Sequence, residues 1–174
     1  VAIPDPEPND VDRAIAGFAT QYIKDGSTIQ TGIGSIPSTI AKLLAGGDGG
    51  DYGVHSEMFT SGLKLLHDSG KVTNAAKTVF EGYSITTFAA GNESLYQWLD
   101  GRNEVRFLPV DVVNSAEVIA NNANMVSING AMSIDLFGQV VADTIDGKQF
   151  SGIGGHEEFV SGSGLELSDR SLIC

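Results

Sequence analysis

A strand, a glycine turn and a helix follow one another near the start of this chain, and this unit most constrains its fold. Residues 27–31 are predicted to form a short strand, and Gly32-Ile33-Gly34 is the turn after it. Pro37 suits the first turn of a helix over residues 37–45, because proline presets a helical φ and lacks an N–H that this turn leaves unpaired. Such a unit belongs in a sheet whose strands alternate with helices.

The rest of the chain continues this alternation. Apolar residues recur at helical spacing over residues 10–24, which predicts a helix there, before the first strand. Asn9 or Asp10 can cap its start. The same reasoning predicts helices over 61–69, 92–99 and 115–122, and strands or strand ends at 54–55, 77–81, 85–89, 105–110, 125–129, 132–135 and 140–144. The predicted fold class is therefore α/β, with a β-hairpin added late around the turn at 135–139.

Composition limits the classes of function. The chain has 174 residues, of which 41% are hydrophobic and 18% charged, so it can bury a core as one domain. Its net charge of −12 argues against a nucleic-acid-binding surface. No apolar run approaches the roughly 20 residues of a membrane span, which argues against a membrane protein. No signal peptide is visible and the single cysteine, Cys174, allows no internal disulfide, so we predict a cytoplasmic protein.

One carboxylate, Glu57, has an unusual setting in the segment 53–62. It follows a glycine-rich loop, and the apolar neighbours Val54, Met58 and Phe59 predict that the segment is partly buried. A carboxylate in such a setting can act as a nucleophile. The alternative is a solvated surface glutamate.

Two glycine loops are candidates for holding an anionic ligand. Gly32 and Gly34 lie between a strand and a helix, where the backbone can approach a ligand closely. Consecutive N–H groups in the loop 152–156 can form an oxyanion hole. A tight packing turn and a plain hairpin turn are the respective alternatives. Neither a dinucleotide-binding fingerprint nor a Walker loop is present.

The histidines give weaker signals. His55 can act as a base or only line a pocket, His67 falls in a predicted helix and is interpreted as a surface residue, and His156 is a candidate ligand contact. No set of His, Asp and Glu has metal-ligand spacing, so we predict no metal site. The Gly-X-Ser-X-Gly elbow of serine hydrolases is also missing.

Six segments, in order across nearly the whole chain, resemble the C-terminal domain of the acetyl-CoA hydrolase/transferase family, close to the 4-hydroxybutyrate and butyrate:acetate CoA-transferases. They are Ile29-Gln30-Thr31-Gly32-Ile33-Gly34-Ser35-Ile36-Pro37, Gly53-Val54-His55-Ser56-Glu57-Met58, Gly70-Lys71-Val72-Thr73-Asn74 with Lys77, Asn114-Ser115-Ala116-Glu117-Val118-Ile119-Ala120, Val126-Ser127-Ile128-Asn129 with Asp135-Leu136-Phe137-Gly138-Gln139-Val140, and Ser151-Gly152-Ile153-Gly154-Gly155-His156-Glu157-Glu158-Phe159.

The resemblance implies a fold and a set of site residues. The fold is a Rossmann-like CoA-transferase fold, an open sheet with helices on both faces. Glu57 is the implied nucleophile, which forms a glutamyl-CoA thioester. The implied residues that contact coenzyme A (CoA) or its thioester are Gly32, Ile33, Gly34, Ser35, Ile36, Asn114, Gly152, Gly154, Gly155 and His156.

The function implied by the resemblance is transfer of CoA between an acyl-CoA and a short-chain carboxylic acid, of the acetate, butyrate or 4-hydroxybutyrate type. CoA is then substrate and covalent intermediate, and no cofactor is permanently bound. Hydrolysis of acyl-CoA by the same glutamate is the alternative within enzymes. A non-catalytic effector-binding α/β domain and a structural domain are alternatives of other classes.

The resemblance also concerns the extent of the chain. The proline-rich residues 1–9 are interpreted as a linker, and residues 10–174 as the second domain of a two-domain protein that lacks its N-terminal domain and extreme C-terminus. Family members usually self-associate, so we expect a homo-oligomer. The family usually has Gly-Gly-Gln-X-Asp-Phe where this chain has Gly154-Gly155-His156-Glu157-Glu158-Phe159. It also usually has Gly-Gly-Lys near the end, where this chain has Ser168-Asp169-Arg170-Ser171. These departures leave the acyl specificity open.

Overall fold

The computed structural model describes residues 2–4, 6–164 and 167–174, so Val1 and Asp5 of the predicted linker lie outside the described residues. The helices are α1 Asp10–Ala19, α2 Ser35–Gly46, α3 Ser61–Asp68, α4 Glu93–Leu99, α5 Val110–Val113, α6 Ala116–Ala120 and α7 His156–Gly162, with a 3₁₀ turn over Thr20–Tyr22. The strands are β1 Thr28–Thr31, β2 Gly53–Val54, β3 Met58–Thr60, β4 Ser84–Thr86, β5 Phe88–Ala90, β6 Val105–Phe107, β7 Met125–Asn129, β8 Ser133–Ile134, β9 Val140–Val141, β10 Thr144–Ile145, β11 Lys148–Gln149 and β12 Arg170–Ile173.

A parallel sheet with the order β12-β7-β1-β2 forms the centre of the protein. Ile29 of β1 lies beside Val54 of β2 on one side and Val126 of β7 on the other. A single bridge between His55 and Ile85 links the β2 edge to the parallel pair of β4 and β6. The α/β prediction is therefore confirmed, with a parallel sheet.

Helices pack on both faces of this sheet. Successive side chains of a strand point to opposite faces, and β7 shows this directly. Val126 and Ile128 belong to one hydrophobic cluster, whereas Met125 belongs to another. The first cluster contains side chains of α1, α2 and α3, and the second contains Ile119 of α6 and Phe159 of α7.

The helix starts follow the predicted signals. Asn9 caps α1 through a capping box, in which its side chain accepts from the Asp12 N–H and the Asp12 side chain accepts from the Asn9 N–H. Gly34 precedes α2 with a φ of +139°, a conformation that L side chains rarely adopt. Pro37 lies in the first turn of α2, as expected.

Several predicted strands are wrong or misplaced. Lys77 has no regular structure and residues 78–81 form bends and a turn, since Phe80 has a positive φ that interrupts an extended chain. The strand predicted over 85–89 is two short strands, β4 and β5, separated by Thr87. The strand predicted over 105–110 ends at Phe107, because Pro109 caps α5.

The late hairpin is present as β8 and β9, and a second hairpin of β10 and β11 follows it. The Asp135 side chain holds the predicted turn by accepting from the N–H groups of Phe137 and Gln139. Leu136, Phe137 and Phe150 are largely exposed on these two hairpins, which we call the hairpin arm. In the part of the chain that the structure describes, no helix is long and apolar enough to cross a membrane.

Candidate active site

The candidate site lies at the carboxyl edge of the central sheet. There, β1 continues into the loop 32–34, β7 continues into Gly130, and β2 continues into His55-Ser56-Glu57. A cavity of about 320 Å³ opens at this edge, and Gly32, Ile33, Glu57, Gly154, Gly155 and His156 are among its lining residues. The connection after β1 runs to β2 on one side of the sheet, whereas the chain after β7 continues to β12 on the other side. The point between β1 and β7, where the connections diverge, is where open α/β sheets bind ligands.

Glu57 is fixed through its backbone, and its carboxylate is presented to the cavity. The Glu57 carbonyl accepts from the N–H of Thr87 at 2.9 Å, the N–H of Phe88 at 3.2 Å and the hydroxyl of Thr86 at 3.0 Å. The side chain is half-buried, and its Oε2 atom accepts from Nδ2 of Asn114 at 2.8 Å. Two backbone N–H groups and one hydroxyl therefore anchor the Glu57 carbonyl, and one side-chain amide holds the carboxylate.

Asn114 reaches Glu57 from the end of α5, where it is the C-terminal cap. Ser115 is the N-cap of α6, so Asn114 lies between α5 and α6. The Oδ1 atom of Asn114 is buried and has no hydrogen-bond partner among the described residues. A buried acceptor without a partner is uncommon, and here it lies beside the cavity-lining carboxylate.

Gly155 packs directly against the Glu57 carboxylate. A Cβ atom on Gly155 would overlap both Glu57 Oε2 and Asn114 Nδ2 and would lie 3.0 Å from Glu57 Cδ. The preceding Gly154 has a φ of +56°, which turns the chain into α7. This close approach of backbone to carboxylate requires glycine at position 155.

The other predicted binding residues divide into two groups. Gly32, Ile33, Gly154, Gly155 and His156 line the cavity together with Glu57. Gly34 and Ser35 form the start of α2, Ile36 packs against the first hydrophobic cluster, and Gly152 is exposed, so these four lie outside the cavity lining.

His55 lies beneath the site. Its ring is completely buried, and Nε2 donates to the carbonyl of Val113, the residue before Asn114, at 2.8 Å. Burial lowers the pKa of His55 to about 4, so the ring is neutral at pH 7. His55 is not among the cavity-lining residues; it supports the backbone that carries Asn114.

Two further side chains differ from their expected settings. His67, predicted to be a surface residue, is half-buried and bonds the Ser84 hydroxyl at 2.9 Å, and burial lowers its pKa to about 4. Lys77 is buried and donates to the carbonyls of Val54 and Tyr83 at 2.9 and 2.7 Å. Burial lowers the Lys77 pKa to about 7. No local pattern signalled a buried lysine, because its two acceptors are backbone carbonyls.

Comparisons with known proteins point to one family. Residues 91–174 match the acetyl-CoA hydrolase/transferase C-terminal domain. The 4-hydroxybutyrate coenzyme A transferase of Clostridium kluyveri is 38% identical over 169 residues, which are 97% of this chain and 39% of that protein. This chain carries a C-terminal domain of the acetyl-CoA hydrolase/transferase family.

Two other comparisons extend the match. The butyryl-CoA:acetate CoA-transferase of Anaerostipes caccae is 35% identical over 165 residues, which are 95% of this chain and 37% of that protein. The crystal structure of RipA from Yersinia pestis superposes with a TM-score of 0.93 at 34% identity, covering 99% of this chain and 39% of that one. The acetyl-CoA hydrolase/transferase domain described here thus spans about two fifths of the length of its relatives.

Proposed function

We propose that this domain supplies the nucleophile of a CoA-transferase, which moves CoA between an acyl-CoA and a short-chain carboxylic acid of the acetate, butyrate or 4-hydroxybutyrate type. Glu57 forms the glutamyl-CoA thioester. The observation that carries the proposal is the Glu57 carboxylate itself, presented to a cavity, held by Asn114 and packed against the Gly155 backbone. Relatives at 35–38% identity are CoA-transferases, which supports the same reaction class.

In the first half-reaction, a Glu57 carboxylate oxygen attacks the thioester carbonyl of an acyl-CoA. A C–O bond forms, the C–S bond breaks, and CoA leaves as the thiolate from a mixed anhydride. The thiolate then attacks the Glu57 carbonyl and releases the first acid as its carboxylate. The products are a Glu57-CoA thioester and a free carboxylate.

The second half-reaction runs these steps in reverse with a new acid. Its carboxylate attacks the Glu57 thioester, forms a second anhydride and releases the CoA thiolate. The thiolate attacks the carbonyl of the new acyl group, which gives the new acyl-CoA and restores the Glu57 carboxylate. Each step exchanges one activated acyl group for another, so no external energy source enters.

The neighbours of Glu57 suit the charge that develops in these steps. Each tetrahedral intermediate formed at the Glu57 carbonyl carries an oxyanion next to the Asn114 amide, which already donates to Oε2. The backbone of Gly155 approaches the same group. Loss of one such donor typically costs about 3 kcal/mol of transition-state stabilisation.

The rest of the longer parent protein completes the site in this proposal. Exposed apolar side chains of the hairpin arm, including Leu136, Phe137 and Phe150, form a surface that suits another protein domain. The relatives carry about three fifths of their length outside the matched region. We assign the hairpin arm to contact with an N-terminal domain. The Rossmann-like fold class of this domain and the self-association of the protein are predictions.

The test uses the full-length parent protein. It is incubated with acetyl-CoA, quenched and digested, and the peptide that contains Glu57 is examined by mass spectrometry for a CoA adduct. We expect the adduct in the wild type and in Glu81→Gln, a matched change at an exposed glutamate, and its loss in Glu57→Gln. Retained turnover in Glu57→Gln would falsify the proposal.

An acid acceptor separates transfer from hydrolysis. With butyrate added to acetyl-CoA, a transferase makes butyryl-CoA, whereas a hydrolase makes only free CoA. Water exclusion from the Glu57 thioester decides between the two outcomes.

A further inference from the structure

We propose that the amides of Gln30 and Asn129 form a hydrogen-bonding subsite in the cavity, which selects short acids that carry an oxygen atom at the end remote from their carboxylate. Gln30 lies in β1 and Asn129 ends β7, on neighbouring strands of the central sheet. Both residues line the same cavity as Glu57. The inference rests on the proposed function for the identity of the substrates.

The two amides form a reciprocal pair. Gln30 Nε2 donates to Asn129 Oδ1 at 3.1 Å, and Asn129 Nδ2 donates to Gln30 Oε1 at 3.2 Å. The two residues are only 5% and 7% exposed, so bulk water does not compete for these groups. A buried polar pair at the cavity wall presents fixed rather than mobile hydrogen-bonding atoms.

A backbone donor fixes the orientation of this pair. The N–H of Ile128 donates to Gln30 Oε1 at 3.0 Å, and since a backbone N–H can only donate, the atom that it faces must be the oxygen. Asn129 must then present its nitrogen to that oxygen. The orientation of both amides follows from one main-chain group.

This orientation determines what the pair offers to a ligand. Gln30 Oε1 already accepts two hydrogen bonds. Each amide nitrogen carries two hydrogens, and the pair uses one from each. The second hydrogens of Gln30 Nε2 and Asn129 Nδ2 have no partner among the residues that the structure describes. The two unused hydrogens lie at opposite corners of a reciprocal amide pair, so the subsite offers one N–H donor to a single acceptor atom.

The other residues of the cavity indicate that the ligand facing this donor is an acyl chain. The cavity also includes the apolar side chains of Met58, Met132 and Phe159. Its volume of about 320 Å³ is at the small end of the range for ligand sites, which suits an acyl chain rather than the whole of CoA. A methyl group against a buried N–H leaves that donor unpaired, whereas a hydroxyl or carboxylate oxygen pairs with it.

The first test compares two acids that have the same number of non-hydrogen atoms, 4-hydroxybutanoate and pentanoate, as acceptors for the full-length parent protein. One additional hydrogen bond corresponds to about a tenfold preference in kcat/KM for the hydroxy acid. A ratio near one in the wild type overturns the proposal, whatever the variants show.

The second test removes both amides together. Gln30→Met with Asn129→Leu replaces the pair by apolar groups of similar shape, so neither side-chain amide is left without its partner. The Ile128 N–H loses its acceptor Gln30 Oε1, so thermal unfolding of this variant is measured beside that of the control pair. We expect the tenfold preference, measured as the ratio of kcat/KM for the two acids in the same protein preparation, to fall to about one, while the Glu57-CoA adduct still forms. The control pair Ser127→Ala with Ser171→Ala removes another side-chain hydrogen bond between neighbouring strands, outside the cavity, and should keep the preference. An unchanged preference in the first pair contradicts the proposal.

Calorimetry separates failure of this subsite from failure of the proposed function. The two acids are titrated into CoA-saturated wild-type protein, without any turnover. If no Glu57-CoA adduct forms but the hydroxy acid still binds about tenfold more tightly, the subsite stands and the transferase proposal fails. Equal binding of the two acids overturns the subsite.

Discussion

A single methyl group at Gly155 should disable the site without disturbing the fold. The backbone of Gly155, at a φ of −81° and a ψ of 17°, is accessible to alanine, so Gly155→Ala introduces no backbone strain. The new Cβ would instead overlap Glu57 Oε2 and Asn114 Nδ2. The carboxylate must move by about 1 Å, because non-bonded carbon and oxygen atoms require more than 3 Å.

The size of the effect follows from that displacement. Moving Glu57 breaks its 2.8 Å hydrogen bond with Asn114, and a hydrogen bond to a charged group contributes about 1.5–3 kcal/mol. A misplacement of about 1 Å at a reacting group costs about 100-fold in rate, which agrees with the upper part of that range. We therefore expect kcat to fall about 100-fold in Gly155→Ala. The melting temperature should stay nearly constant, since Glu57 is only half-buried.

The assay measures butyryl-CoA formation from acetyl-CoA and butyrate by the full-length parent protein, together with thermal unfolding. Gly152→Ala is the matched control, because it lies in the same loop, has no atom within 4 Å of the added Cβ and has no positive φ. The control should keep wild-type activity. A Gly155→Ala protein with a rate within threefold of the control would refute the close-approach argument.

Two further predictions concern buried bases. The folded-state pKa of His55, about 4, lies below its ordinary value of 6.5, so the unfolded chain binds the proton first and the free energy of unfolding should fall as pH drops from 6.5 to 4, by about 3 kcal/mol from this group. Urea unfolding at pH 6.5 and 4.5 should show a smaller fall in His55→Gln, and equal falls would contradict the argument. The folded-state pKa of Lys77, about 7, lies below its ordinary value of 10.5. The unfolded chain therefore binds more protons between these pH values, so the free energy of unfolding should be lowest below pH 7 and rise with pH up to 10.5. Lys77→Met should abolish this rise of about 1.4 kcal/mol per pH unit, and a variant that keeps it would exclude Lys77 as the source.

The agreement between sequence and structure was best where a short local signal decides the conformation. The capping box at Asn9, the glycine turn before α2 and the strand β7 over residues 125–129 were all predicted from neighbouring residues. The turn at Asp135 is another such case, since one side chain accepts from two N–H groups close by in the chain. Local hydrogen bonding of this kind leaves its mark in consecutive residues.

Prediction failed where a distant contact overrides local preference. Residues 77–81 contain apolar and β-branched side chains that favour a strand, yet Lys77 is drawn into the interior by the carbonyls of Val54 and Tyr83. His67 looked exposed on its helix, but Ser84 and the ring of Trp98 cover it. Val54 lies 23 residues from Lys77, and Ser84 lies 17 residues from His67, so no local window reveals these contacts.

The sequence by itself determined the alternation of strands and helices and the glycine turns, and through resemblance it suggested Glu57 as the candidate nucleophile. Only the tertiary structure placed Asn114 and Gly155, which are 57 and 98 residues away in the chain, against that carboxylate. It also paired Gln30 with Asn129 across the two central strands. The reason is that parallel strands bring their carboxyl ends to one edge of a sheet, and the strand order that decides which ends meet is a property of the whole packed chain.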